Sequence, residues 1–142
     1  MRYLLDTDIL SNLMRRLPAA SLLARLALVP PDEQCTTSIT LGELYYGAHH
    51  AVERTGPLLR RLDEVLLPNL AVLPFDEPAA REYGQLRAQL EKQGAPIGDA
   101  DLRIASIALV HDLAVVTANV RHFARVDGLV VENWLEERPD KP

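Results

Sequence analysis

Short apolar runs alternate with longer amphipathic ones along the whole chain. Tyr3-Leu4-Leu5 is apolar almost from the N-terminus and predicts a first strand. Asp6-Thr7-Asp8 follows with three side chains able to cap a helix, which the pattern extends over 9–16. Pro18 opens a second helix over 19–27, and Pro30-Pro31 closes that region. Residues 34–38 predict a second strand. Thr40 and Glu43 then have the spacing of a capping box for a helix reaching about residue 52. A helix over 58–67 is stopped by Pro68, and 70–73 predicts a third strand.

In the second half Asp76 caps a long helix over 78–93, with Pro78 in the first turn, where a missing N–H costs nothing. Residues 94–98 form a turn and 99–111 another helix. Ala114-Val115-Val116-Thr117 is the clearest strand signal in the chain, and 129–131 gives a last short one. Strand and helix in alternation imply an α/β fold with a short, mostly parallel central sheet covered on both faces. In such sheets ligands gather outside the carboxyl ends of the strands. Trp134, just after the last strand, is expected to anchor the C-terminal segment by packing.

Length limits the organisation to one domain, placed at 1–135, because 142 residues leave little room for a second core. The polar, proline-bearing segment 136–142 is expected to be a disordered tail. Hydrophobic residues at 48% and charged residues at 25% are ordinary for a soluble protein. An acidic residue interrupts the first apolar run, so no signal peptide is read there, and no window approaches a bilayer span. Cys35 stands alone, which excludes an internal disulfide and a cysteine-cluster zinc site. A cytoplasmic protein with no membrane partner is the expectation. The net charge of −5 argues mildly against a nucleic-acid ligand, unless clustered carboxylates account for it.

Three carboxylates fall where an open α/β sheet puts chemistry. Asp6 follows the first strand directly, although a plain helix N-cap would also explain it. Asp101 has Ile104, Ala105 and Ala108 at helical spacing behind it, which places it at the N-terminal end of a buried face. An unpaired carboxylate there is costly, and a bound cation relieves the cost. Asp99 lies about 200° away around the same helix, near Leu102, Arg103 and Ser106, and reads as a cap or solvent residue. Glu43 follows the second strand, and its plain alternative is the capping box with Thr40. Carboxylates without matching lysines or thiols select a hard ion, Mg2+ with Mn2+ as a substitute. Hydrolysis of a phosphate ester is the natural reaction of such a centre.

These stretches resemble the PIN-domain ribonucleases, and specifically the VapC-type toxins of toxin–antitoxin pairs. The resemblance rests on residues 3–10, 38–48, 97–105 and 115–123, then 126–129 and Glu132-Asn133-Trp134, in family order over nearly the whole chain. It implies a PIN-like three-layer α/β/α sandwich and a metal-dependent endoribonuclease with Asp6, Glu43 and Asp101 as acidic core. Many members carry a fourth carboxylate where this chain has Asn119, which is left to ligate weakly or to orient water with Thr117. Asp8 stands where relatives often have asparagine and adds charge to the pocket; Thr7 and Asp99 are further supporting candidates. The resemblance also implies a homodimer, a small VapB-type antitoxin that blocks the site, and a structured RNA substrate, tRNA or rRNA. Residues 97–134 look most like members that cut initiator tRNA in its anticodon stem-loop.

Basic residues cluster at Arg15-Arg16, Arg60-Arg61 and Arg121-His122 with Arg125. Most such pairs are solvated helix faces; Arg121, His122 and Arg15 are the candidates for RNA phosphate. Tyr45 and Tyr46 read as core or dimer contacts. The enzyme rival is a phosphatase of the haloacid-dehalogenase type, whose nucleophile motif Asp6-Thr7-Asp8 imitates. That chemistry needs a lysine near the phosphate, and only Lys92 and Lys141 exist. A catalytically degenerate PIN domain used for binding is the non-enzymatic rival.

Overall fold

A computed structural model describes residues 1–137. The expected tail therefore lies outside the described residues from 138 onward. Five strands, β1 (Tyr3–Leu5), β2 (Gln34–Thr37), β3 (Ala71–Leu73), β4 (Ala114–Val116) and β5 (Val131–Glu132), make one parallel sheet in the order β3-β2-β1-β4-β5. The chain winds outward from β1 to β3, then returns past β1 to add β4 and β5 on its other side. The winding direction thus reverses between β1 and β4. That gap is the switch point at which parallel sheets open a crevice.

Burial on both faces explains why the strands are apolar runs rather than alternating ones. Within β1, Leu4 points into one core, while Tyr3 and Leu5 point into the other. In β4, Val115 and Val116 divide the same way. One core is closed by α5 (Glu77–Lys92), α6 (Asp99–Val110) and Phe123 of α7 (Val120–Phe123). The opposite core is closed by α1 (Thr7–Leu13), α2 (Ala20–Leu26) and α3 (Ser38–His50), with Leu62 following α4 (Thr55–Arg61). The expected three-layer sandwich is what forms. Trp134 is fully buried in this second core, edge-on to Tyr3 with ring centroids 4.9 Å apart.

Several boundaries differ from the sequence reading. The cap of α3 is Thr37, whose hydroxyl accepts the Thr40 N–H at 3.1 Å, so the capping box of Thr40 and Glu43 does not form. The helix therefore begins three residues earlier and swings Thr40 inward. After α4 the chain continues through a π turn (Leu62–Leu66) and a 3-10 turn (Leu67–Asn69). Pro68 sits in the first positions of that last turn, where it removes no hydrogen bond, and so does not end the helix at 67. Leu102 and Ser106 are buried rather than solvent-facing, because α5 packs over that side of α6. Tyr46 is 69% exposed and stacks on His50, so it is not a core residue.

Candidate active site

The switch point brings together the ends of β1 and β4. Asp6 is the residue after β1, and its backbone N–H continues the ladder by donating to Val116 O at 3.0 Å. Its side chain is 5% exposed. Oδ1 accepts the Thr7 N–H at 2.7 Å, and Oδ2 accepts the Thr117 hydroxyl at 2.8 Å. Asp6 is thus the cap of α1 and also a bridge to β4, so the two sequence readings of it are not exclusive. Asp8, in the first turn of α1, accepts the Ala118 N–H at 2.9 Å.

Asp101 arrives from the first turn of α6, where the positive end of the helix dipole faces a carboxylate favourably. The stripe behind it, Ile104, Ala105 and Ala108, is fully buried as its spacing predicted. Oδ2 of Asp101 accepts from Asn119 Nδ2 at 3.0 Å and lies 3.4 Å from His122 Nδ1. The same amide lies 2.9 Å from His122 Nδ1. Asn119 also anchors through its backbone, whose N–H donates to Thr117 Oγ1 at 2.9 Å.

Glu43 comes from the second turn of α3 and joins the row through Thr7. The Thr7 hydroxyl lies 2.7 Å from Glu43 Oε1 and 3.1 Å from Thr40 Oγ1. With a single proton to give, it donates to the carboxylate and accepts from Thr40. Thr40 is fully buried, a supporting residue that sequence reasoning missed because it treated the side chain as a cap. A continuous hydrogen-bonded row therefore runs Glu43, Thr7, Asp6, Thr117, Asn119, Asp101 and His122. Asp99 stands outside it. Its carboxylate accepts from Tyr83 Oη and from Arg103 Nε at 2.8 Å, and these partners hold it below the usual carboxylate range, the tyrosine first. Arg121 is exposed beside His122, and Arg15 is exposed just past the end of α1.

Electrostatics mark the row as short of positive charge. Burial, then the neighbouring Asp8 and more weakly Asp101, push Asp6 up to about 7, against the lowering by Thr117 and Thr7. Asp8 is raised as well, chiefly by burial. Among the described residues neither Asp6 nor Asp8 makes an ion pair. No three carboxylate, imidazole or thiolate groups among the described residues converge closely enough to ligate one ion as they stand. The chemistry of the donor set nonetheless fits a hard divalent cation: every candidate ligand is an oxygen, and added positive charge would relieve the desolvated Asp6.

No described helix is long and apolar enough to cross a membrane. The phosphatase reading has no lysine to supply: Lys92 is exposed at the end of α5, and Lys141 lies outside the described residues. Comparison with known proteins decides the family. The PIN domain profile matches residues 3–129. Ribonuclease VapC2 of Haemophilus influenzae is 36% identical over 137 residues, covering 95% of this chain and 99% of the relative. The tRNA(fMet)-specific endonuclease VapC of Shigella flexneri is 38% identical over 136 residues, covering 94% and 98%. Toxin FitB of Neisseria gonorrhoeae is 33% identical over 135 residues, covering 92% and 97%. Among solved structures, FitAcB from Neisseria gonorrhoeae superposes with a TM-score of 0.87 at 32% identity, over 93% of this chain and 97% of that one. The chain belongs to the PIN-domain family, in its VapC group.

Proposed function

We propose that this protein is the toxin of a toxin–antitoxin pair, an endoribonuclease that hydrolyses phosphodiester bonds in structured RNA with Mg2+, or Mn2+ in its place. The observation that carries this reading is Asp6, a buried carboxylate at the sheet's switch point, flanked by Asp8 and Asp101 and making no ion pair among the described residues. Asp6, Asp101 and Glu43 would hold the ion, with Asp8 and Asn119 beside it. The chemistry supplied at such a centre is activation of water for attack on phosphorus and neutralisation of charge on the phosphate.

The chain's own part is positioning. Thr117 and the Thr7 N–H fix both oxygens of Asp6, Thr7 fixes Glu43, and Asn119 restrains Asp101. Arg121, His122 and Arg15 would meet RNA phosphates, the first two beside Asp101 and the third past the end of α1. Relatives named as ribonucleases, one as specific for tRNA(fMet), support tRNA as substrate, and thereby a block on translation. A VapB-type antitoxin, a second copy of the chain and a cytoplasmic setting follow from the VapC resemblance. Residues 1–135 form the domain on this reading, because the Trp134 anchor lies beyond the matched segment.

The test is incubation of pure protein with total tRNA and Mg2+ or Mn2+, beside EDTA and Asp6→Ala controls. Cutting that needs the metal and Asp6 is expected. Cutting in EDTA, or by Asp6→Ala at the wild-type rate, overturns the mechanism.

A further inference from the structure

A second feature borders the acidic row at its Glu43 end. Between α1 and α3 lies a pocket of about 230 Å3. Met14, Leu44 and Leu58 are among its apolar lining, and Glu43, Arg15 and Arg54 are its charged residues. Arg54 ends the 3-10 turn Val52–Arg54 that follows α3. Both arginines are exposed, and among the described residues neither side chain has a hydrogen-bond or ion-pair partner. Arg81, Arg87 and Arg103 are instead committed to Glu77, Glu91 and Asp99, while Arg2, Arg16, Arg60, Arg61 and Arg121 are exposed and unpaired among the described residues but line no pocket with a second free arginine beside the acidic row. Two free guanidinium groups on the lining of one pocket, in an acidic protein, mark a place for an anion.

The direction of the helices connects this pocket to the centre. Asp8 and Ser11 fall at i and i+3 on α1, and Arg15 follows two residues past its end, so this side of α1 leads from the acidic row towards the pocket that Ser11 and Arg15 line. At 1.5 Å of rise per residue the helical part of that path, Asp8 to Leu13, is about 8 Å, short enough for one extended strand to touch both ends. Glu43 belongs to both features, as it lines the pocket and is held by Thr7. At the other end of the row stand His122 and Arg121. The row of carboxylates, which repels phosphate unless metal is bound, is therefore bracketed by cationic or hydrogen-bonding groups on two sides.

We infer that the pocket of Arg15 and Arg54 is a phosphate subsite that grips the RNA strand on the Glu43 side of the scissile bond. This rests on the ribonuclease reading above. Guanidinium groups suit the task because their planar fork pairs two phosphate oxygens at once. Arg54 is the informative residue, since it lies on no element of the acidic row. It acts in positioning the strand rather than in the chemical step.

The test uses Arg54→Ala and Arg54→Lys in the full chain, with purified initiator tRNA as the probe. Binding is read by fluorescence anisotropy in an Asp6→Asn background, over a salt series, and cleavage is read in the wild-type background with Mn2+. Arg54→Ala is expected to weaken binding roughly 5- to 20-fold and to flatten the slope of log K against log salt by about 1. In cleavage, KM rises while kcat and the Mn2+ concentration dependence stay within about twofold, and Arg54→Lys recovers part of the loss. Unchanged affinity and slope in Arg54→Ala overturn the subsite. The same result with a protein partner's binding weakened assigns the pocket to a protein and also overturns it. Failure of the wild type itself to cut tRNA would count against the ribonuclease reading alone, because the binding arm still reads the pocket.

Discussion

Asn119 Nδ2 donates to Asp101 Oδ2 across 3.0 Å, so the amide that stands in place of a fourth carboxylate restrains the third one. A donor there lowers the charge that must be neutralised and ties Asp101 to the end of β4. Replacing it, Asn119→Asp, removes the bond and adds a repelling charge. Without metal, stability at pH 8 is expected to fall by about 1–2 kcal/mol. With Mn2+ the order reverses, because the new oxygen becomes a ligand. Differential scanning fluorimetry with and without Mn2+ reads both effects. Equal Tm values for the two proteins in both conditions would contradict this role of Asn119.

Asp6→Asn separates stability from activity. The wild-type carboxylate is buried beside Asp8 with no ion-pair partner among the described residues, so removing its charge is expected to stabilise the metal-free protein by roughly 1–3 kcal/mol at pH 8. The same change is expected to lower metal-dependent cleavage by about 100-fold or more. Chemical denaturation and tRNA cleavage measure the pair. A destabilised, inactive variant would mean that Asp6 acts as a structural cap.

The raised Asp6 also sets a pH dependence. Its folded value of about 7 lies above the ordinary 3.8, so the folded protein binds more protons between those limits. Its stabilising contribution is therefore complete below about pH 4 and is lost as pH rises through 7, amounting to roughly a few kcal/mol. The difference in stability between wild type and Asp6→Asn isolates it from other carboxylates. Protons and metal compete for the same oxygens, so the Tm gain from Mn2+ is expected to be larger at pH 8 than at pH 5.5. A gain independent of pH would place the metal elsewhere.

Thr7→Val keeps the shape of the side chain and removes its hydroxyl. Glu43 then loses its 2.7 Å bond and Thr40 loses its acceptor. Cleavage is expected to fall 10- to 100-fold, with stability changed by about 1 kcal/mol. Initial rates across a Mn2+ series check this, and a wild-type rate would show that Glu43 needs no support from Thr7.

Trp134→Ala tests the C-terminal anchor. The ring is fully buried against Tyr3, and its indole N–H donates to Glu132 Oε1 at 3.2 Å. A loss of about 3–5 kcal/mol in urea unfolding is expected. A loss below about 1 kcal/mol would detach the segment after β5 from the core.

Much of this architecture is legible in the chain because burial on both sheet faces leaves unbroken apolar runs at 3–5 and 114–116. The stripe behind Asp101 separated it from Asp99 for the same reason: helical spacing records which side is buried. What spacing does not record is contact between distant segments. The Thr7 hydroxyl meets Glu43 across 36 residues of sequence and Thr117 meets Asp6 across 111, and neither threonine announces its partner. Thr40 looked like a cap because Thr and Glu at that spacing usually are one; the true cap, Thr37, lay one turn earlier. A single exposed arginine such as Arg54 carries no pattern in the sequence, and only the pocket gives it company.

The most direct test of the acidic row as a metal centre is a crystal of the protein grown with Mn2+ and measured for anomalous scattering. The account predicts a manganese peak bonded to the carboxylates of both Asp6 and Asp101, and no such peak in Asp6→Asn. A peak elsewhere on the protein, or one that persists at this place in Asp6→Asn, would contradict it.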